Sequence, residues 1–235
     1  MAKVKCSISV SVDNCVAGPH MTEQRPFGDM PQNLLHHWQL DEPEKHAAEY
    51  RALLDAGAFI IGRNMFGPRG AEYDRSWQGW WGDDPPYHAP VFVLTHRARD
   101  PIEMKGGTTF YFVTNGIESA LEQARKAAGE RDVSVMGGAD TVNQYLRAGL
   151  LDELWLHVAP IVYGNGKRLF DGVSMQQLEV LEMRSTPIVT HVRYGVKRGE
   201  PPATRSIVLP NCRTHSCATR GSWSRNWSSG CPAST

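Results

Sequence analysis

The chain predicts an α/β fold: a mostly parallel twisted sheet covered on both faces, with an antiparallel pair at its C-terminal edge. Three observations carry this. Short runs rich in Val, Ile and Phe recur through residues 3–198. Amphipathic helical stretches separate several of them, and strands alternating with helices pair in parallel. The last two runs, 178–181 and 189–196, have no helix between them and so pair antiparallel.

The elements follow in order. In 3–12, Val4, Cys6, Ile8, Val10 and Val12 alternate with Ser7, Ser9 and Ser11, which is a strand pattern. A long Gly- and Pro-containing loop follows, with a short helical stretch around Leu34–Leu40. Asp41-Glu42-Pro43 starts a helix whose apolar face includes Ala47, Leu53 and Leu54. Gly57 ends it, and Ala58–Ile61 is a short buried strand. Residues 62–89 form a loop holding Tyr73, Trp77, Trp80, Trp81 and Tyr87. Val91–Leu94 and Thr109–Val113 are strands. Asn115 caps a helix with Ile117, Leu121, Ala124 and Ala128 on one face. Val133–Met136 is a strand, Val142, Tyr145 and Leu146 mark a helix, and Leu154–Ala159 is a strand.

The chain has 235 residues, and at about 150 residues per domain this is one large domain or two small ones. Lys plus Arg is 25 and Asp plus Glu is 25, which argues against a nucleic-acid protein relying on bulk attraction to phosphate. Apolar runs stop short of the roughly 18 residues a membrane span needs, and the N-terminus lacks a signal-peptide apolar block. Five cysteines without a CxxC pair suit a reducing cytoplasm. Residues 199–235 differ from the body: four Arg, one acid, three of the cysteines, and much Ser, Thr and Pro. This basic tail is predicted to be disordered, because it buries too little apolar surface to offset its ordering entropy. Cys212, His215, Cys217 and Cys231 match no two-pair zinc spacing, so no metal is expected.

Three strand ends carry chemistry. Val133-Ser-Val-Met-Gly-Gly-Ala-Asp-Thr141 ends a strand, turns on glycines and begins a helix. Glycines admit a ligand close to the backbone, and a helix N-terminus favours a phosphate; an ordinary tight strand–helix turn has the same pattern. Ile60-Ile-Gly62-Arg63-Asn64-Met65-Phe66 places a permanent planar cation after a strand-ending Gly, and Val93-Leu-Thr95-His96-Arg97 offers a hydroxyl and two potential cations. Ligands of open α/β sheets sit beyond the carboxyl ends of strands. These three ends together suit a phosphorylated dinucleotide, with Arg suited to a 2′-phosphate. Each Arg read singly is also an ordinary solvated surface residue. The Trp-rich loop either stacks a flat heterocycle or forms a local hydrophobic plug.

As a set, Ser11-Val-Asp13-Asn, Ala17-Gly18, Ile61-Gly-Arg-Asn-Met-Phe66, Val93-Leu-Thr-His96 and Met136-Gly-Gly-Ala-Asp140 resemble the dihydrofolate reductase superfamily. Leu150–Phe170 resembles more closely the reductase domain of the riboflavin-biosynthesis deaminase–reductase. The resemblance covers about residues 3–198. It implies a three-layer, eight-stranded fold, NADPH as hydride donor, a pyrimidine- or pteridine-like heterocyclic substrate and a homodimer. By position, Gly137, Gly138, Ala139, Asp140 and Thr141 would cradle the pyrophosphate. Gly62, Arg63, Asn64 and Met65 would meet ribose and phosphates, and Thr95, His96 and Arg97 would lie at the adenosine end. Asp13, at a strand-to-loop exit, is the candidate catalytic carboxylate, although a turn Asp also bonds its own backbone. Asn33 falls where folate reductases keep an acid; His36, His37 and Trp38 form another possible pocket edge, and Asn33 and Trp38 are the candidate substrate contacts. Asn33 cannot supply that acid's proton. The deaminase motif pair of the two-domain enzyme is absent from the sequence. The resemblance therefore implies 5-amino-6-(5-phosphoribosylamino)uracil reductase as the nearest activity. Dihydrofolate reductase, or a nucleotide-binding homologue without catalysis, are the alternatives.

Overall fold

The computed structural model describes residues 2–31, 33–68 and 76–197. The predicted tail and Tyr73 lie outside these.

The first strand, β1 (Val4–Ser11), is buried almost throughout. Its place explains this: it lies mid-sheet, parallel to β7 (Val133–Gly137) on one side and to β8 (Glu153–Ala159) on the other. Alternation alone describes a half-buried strand, but here the serine face is covered too. After β1 come β2 (Cys15–Ala17), α1 (His37–Leu40) and α2 (Ala47–Leu54). The predicted start of α2 at Asp41 is instead a run of turns, so the helix begins four residues after Pro43.

The central run is β3 (Ala58–Gly62), α3 (Arg63–Phe66), β4 (Pro90–Leu94), β5 (Ile102–Glu103), β6 (Thr109–Val113) and α4 (Gly116–Ala128). After β7 come α5 (Ala139–Arg147), β8, β9 (Lys167–Arg168), β10 (Leu178–Ser185) and β11 (Thr190–Val196). The main sheet has nine strands in the order β10-β11-β8-β1-β7-β3-β4-β6-β5. Its interior is parallel; β11 runs against β8, β10 against β11, and β5 against β6. The eight expected strands are all present. The ninth, β5, is two residues long and follows Pro101, too short to leave a periodic signal. A separate two-stranded sheet joins β2 and β9.

Both faces of the interior strands are covered. In β3, Ala58 and Ile60 pack with Leu121, Val142 and Leu146 of α4 and α5. The alternate residues, Phe59 and Ile61, pack with Leu53, Phe66, Tyr87 and Phe110. Continuous apolar runs in parallel strands reflect this two-sided burial. Tyr145 Oη donates to the Ile117 carbonyl at 2.8 Å and ties α5 to α4. Asn115 precedes α4 without a side-chain capping bond, contrary to its predicted role. The outer strand β10 leaves Val180, Leu181 and Met183 exposed. No helix among the described residues is long and apolar enough to cross a membrane.

Candidate functional site

A cleft of ≈ 1260 Å³ opens beyond the carboxyl ends of β3, β4, β6 and β7. The three predicted strand-end turns meet in it. Gly62, Arg63, Asn64 and Met65 line it from the end of β3, and Thr95 and His96 from the end of β4. Gly138, Ala139, Asp140 and Thr141 line it from the start of α5.

Two glycines set this geometry. Gly137 has φ +124°, a conformation that L side chains rarely adopt, and it lies buried just behind the lining. A Cβ on Gly62 would run into the Thr141 hydroxyl, so the end of β3 can approach α5 closely only as glycine. A Cβ on Gly138 would meet no protein atom within 4 Å, so the space above this turn is open. The first N–H groups of α5 lack intrahelical partners and bring partial positive charge to the cleft wall. Asp140 opposes that charge, but its carboxylate pairs with Lys167 Nζ at 2.6 Å. Lys167 also lines the cleft. Arg63 Nη1 donates to the carbonyls of Gly67 at 2.9 Å and Pro68 at 2.6 Å, which orients the guanidinium on the wall.

Four predicted residues fall elsewhere. Arg97 is exposed beyond the lining, its N–H turned to Thr95 Oγ1 at 3.2 Å. Asn33 is exposed in the turn before α1, where its carbonyl accepts the His36 N–H at 2.9 Å. Trp38 is 1% exposed and points into the sheet, where Nε1 donates to Ser9 Oγ at 3.2 Å. Helical geometry gives the reason: His36, Gln39 and Leu40, at i, i+3 and i+4, line the cleft, and Trp38 lies on the opposite side of that turn.

Asp13 is the fourth, and it too lies outside the cleft lining. Its carboxylate accepts the Ser11 hydroxyl at 2.7 Å and the N–H groups of Tyr163 and Gly164 at 2.9 Å each. The Ser11 hydroxyl, then the two backbone N–H groups, hold it well below the usual carboxylate range. A carboxylate held ionised by Ser11, the 163–164 backbone and, at 3.5 Å, Arg168 has the bonding of an anchor and not of a proton donor. Asp13→Ala is therefore expected to lower the midpoint of thermal unfolding while leaving nucleotide binding by the cleft, where the wild-type chain has it, unchanged. Loss of nucleotide binding at unchanged melting temperature would return Asp13 to the site.

The aromatic loop serves packing and cleft together. Trp77 Nε1 donates to the Phe66 carbonyl at 2.9 Å, and Trp81 stacks on Phe110 at 5.9 Å. Trp80, Trp81 and Tyr87 also line the cleft. His36, read in the sequence as a possible pocket edge, does line the cleft, and Ser7, Ser9 and Lys167 are among the lining residues that sequence reasoning missed. The serine alternation in β1 was a usable signal for the two serines; Lys167 had none.

The fold and the cleft define the class: a mostly parallel α/β protein whose large pocket sits at the carboxyl edge of its sheet. The family model of the RibD C-terminal domain matches residues 2–193, and the chain belongs to that family. A Bacillus subtilis (strain 168) protein of uncharacterised function, YyaP, is 24% identical over 157 residues, covering 63% of this chain and 76% of its own. A Shewanella sp. PV-4 structure, assigned by name to riboflavin biosynthesis, is 21% identical with TM-score 0.60 and covers 83% of this chain and 99% of its own. The Thermotoga maritima diaminohydroxyphosphoribosylaminopyrimidine deaminase/5-amino-6-(5-phosphoribosylamino)uracil reductase is 12% identical with TM-score 0.54. That match covers 83% of this chain and 57% of the Thermotoga chain. The fold is thus of the RibD-reductase, dihydrofolate reductase-like type.

Proposed function

We propose that the chain is an NADPH-dependent reductase of a pyrimidine- or pteridine-like heterocycle, with 5-amino-6-(5-phosphoribosylamino)uracil reduction as the nearest named activity. The observation that carries this reading is the convergence of the Gly62–Met65, Thr95–His96 and Gly138–Thr141 turns on one cleft. At ≈ 1260 Å³ the cleft exceeds the roughly 300–1,000 Å³ of ordinary ligand pockets, leaving room for a dinucleotide and a second ring. The residues fit the cofactor. Open space above Gly138 and the N-terminus of α5 suit the pyrophosphate, and Arg63 suits a 2′-phosphate.

NADPH, when bound, supplies the hydride; the protein orients both partners and matches their charge. Met65 and Trp81 give part of the cleft an apolar wall, and Arg63 and Lys167 bring positive charge to it. Buried, unpaired Cys6 and Cys15 suit a reducing cytoplasm.

The direct test follows NADPH absorbance with the purified chain and either the aminopyrimidine or dihydrofolate. Oxidation with the aminopyrimidine and not with dihydrofolate is the expected result. Failure of the full chain to bind NADPH in a calorimetric titration defeats the reading.

A further inference from the structure

A line of polar side chains crosses the buried face of the sheet beneath Trp38. Ser7 Oγ lies 2.8 Å from His157 Nε2. His157 Nδ1 lies 2.7 Å from His191 Nδ1, and His191 Nε2 lies 2.8 Å from His46 Nδ1. All four residues are buried, His46 and His157 almost completely. Sheet register builds the line, since His157 faces His191 across β8 and β11. The Trp38 ring covers it, 4.5 Å from His157 and 5.0 Å from His191 between centroids. Buried imidazoles are costly unless their nitrogens are paired, and a neutral ring has one donor and one acceptor.

Those two rules allow only two proton orders along the line, one the reverse of the other, and the Arg184 guanidinium chooses between them. Arg184 Nη1 approaches His46 Nδ1 at 3.3 Å, and a guanidinium only donates. A proton on His46 Nδ1 would face that cation, so Nδ1 takes the acceptor role, its one lone pair turned to His191 Nε2 at 2.8 Å with Arg184 at the longer distance, and its proton sits on Nε2. That nitrogen is buried without a hydrogen-bond partner, 4.0 Å from a Glu42 carboxylate oxygen. A line of neutral imidazoles leaves such an end group over. His191 Nε2 then donates to His46, His191 Nδ1 accepts from His157 Nδ1–H, and His157 Nε2 accepts the Ser7 proton. Burial favours the neutral rings this requires, pushing His191 down to about 4 and His157 well below 6.5.

Ser7 lines the cleft. With its proton committed to His157, it turns lone pairs alone towards a ligand. Ser9, two residues on, is set the other way: it accepts from Trp38 Nε1 and keeps its own O–H to donate. We propose that Ser7 is a substrate-selecting residue that accepts a hydrogen bond from an N–H or O–H of the bound heterocycle. His157, His191 and His46 are positioning residues that hold its hydroxyl in that sense. A ring carbonyl or bare ring nitrogen over Ser7 would meet lone pairs with lone pairs, so the line selects rings presenting a donor there. This rests on the reductase reading of the cleft, and it makes Ser7 an acceptor and not the source of the proton that completes a reduction.

The test uses the full-length protein labelled with ¹⁵N-histidine. Nitrogen shifts at neutral pH should place the single proton of His157 on Nδ1 and those of His191 and His46 on Nε2. A proton on His157 Nε2 overturns the proposal, whatever the cleft binds. With NADPH present, 5,6-diaminouracil should bind, and Ser7→Ala should weaken it about tenfold, the worth of one hydrogen bond. Undiminished binding by Ser7→Ala, or no binding of this donor-rich ring by the wild-type chain with NADPH bound, also overturns it. Absence of NADPH binding defeats the reductase reading instead, and the nitrogen shifts still decide the state of the line.

Discussion

Arg63→Ala is expected to weaken NADPH binding by roughly 10- to 100-fold and NADH binding by less than about threefold. A charge-assisted hydrogen bond contributes about 1.5–3 kcal/mol, and each 1.4 kcal/mol is about tenfold. The two cofactors differ by the 2′-phosphate alone, so the difference between their losses isolates the contact with that group. Arg63 is well placed for it, standing first in α3 directly after the glycine that ends β3. Its bonds to the Gly67 and Pro68 carbonyls fix the guanidinium and leave its charge intact. The same bonds define the alternative outcome. If Arg63 only braces this turn, its removal loosens the cleft wall for both cofactors alike. Parallel fluorescence titrations of the variant with NADPH and NADH separate the two, and equal losses would remove Arg63 from phosphate recognition.

Stability should fall steeply as pH drops from about 6.5 towards 4. Burial lowers His157, His191 and His46 from their ordinary value of 6.5. Around His46, Arg184 and Lys45 act in the same direction, while Glu49 and Glu42 oppose them. A base whose folded value is depressed takes up its proton more readily once unfolded. Its contribution is therefore complete above the unfolded value and is lost as pH falls below it, by about 1.4 kcal/mol per pH unit for each ring. For His191, lowered to about 4, this loss runs across the whole window, in a domain held together by only roughly 5–15 kcal/mol. Glu49 and Glu153, whose folded values are also lowered, extend the loss at still lower pH as they are protonated. Urea midpoints at pH 7.5, 6 and 5 read the effect, and a flat series would show that these rings are not neutral in the native state.

Much of this was written in local sequence. Apolar runs in 58–61, 91–94 and 133–136 mark strands buried on both faces, and strand-ending Gly62 and Gly137 mark where the cleft opens. The helices α4 and α5 follow from their spacing, because Leu121, Ala124, Val142 and Leu146 repeat at helical intervals. What stayed hidden depends on contacts far apart in the chain. His46, His157 and His191 are each more than 30 positions from the next, and only the pairing of β11 on β8 and the placement of α2 bring them together. Asp13 and Trp38 look functional by type and neighbourhood. One is consumed by the 163–164 turn and the other by the face of β1, and no local pattern reveals which side of a turn a side chain takes.

The hairpin of β10 and β11 is the outermost part of the sheet, and it looks dispensable. Arg184 contradicts that: from this margin its guanidinium reaches Glu49 at 2.6 Å and the Lys45 carbonyl at 2.9 Å, back across to the beginning of α2. A truncated chain lacking these two strands would forfeit His191 from the middle of the buried line together with the cation that orders it, and so would leave His46 and His157 without the ring that joins them.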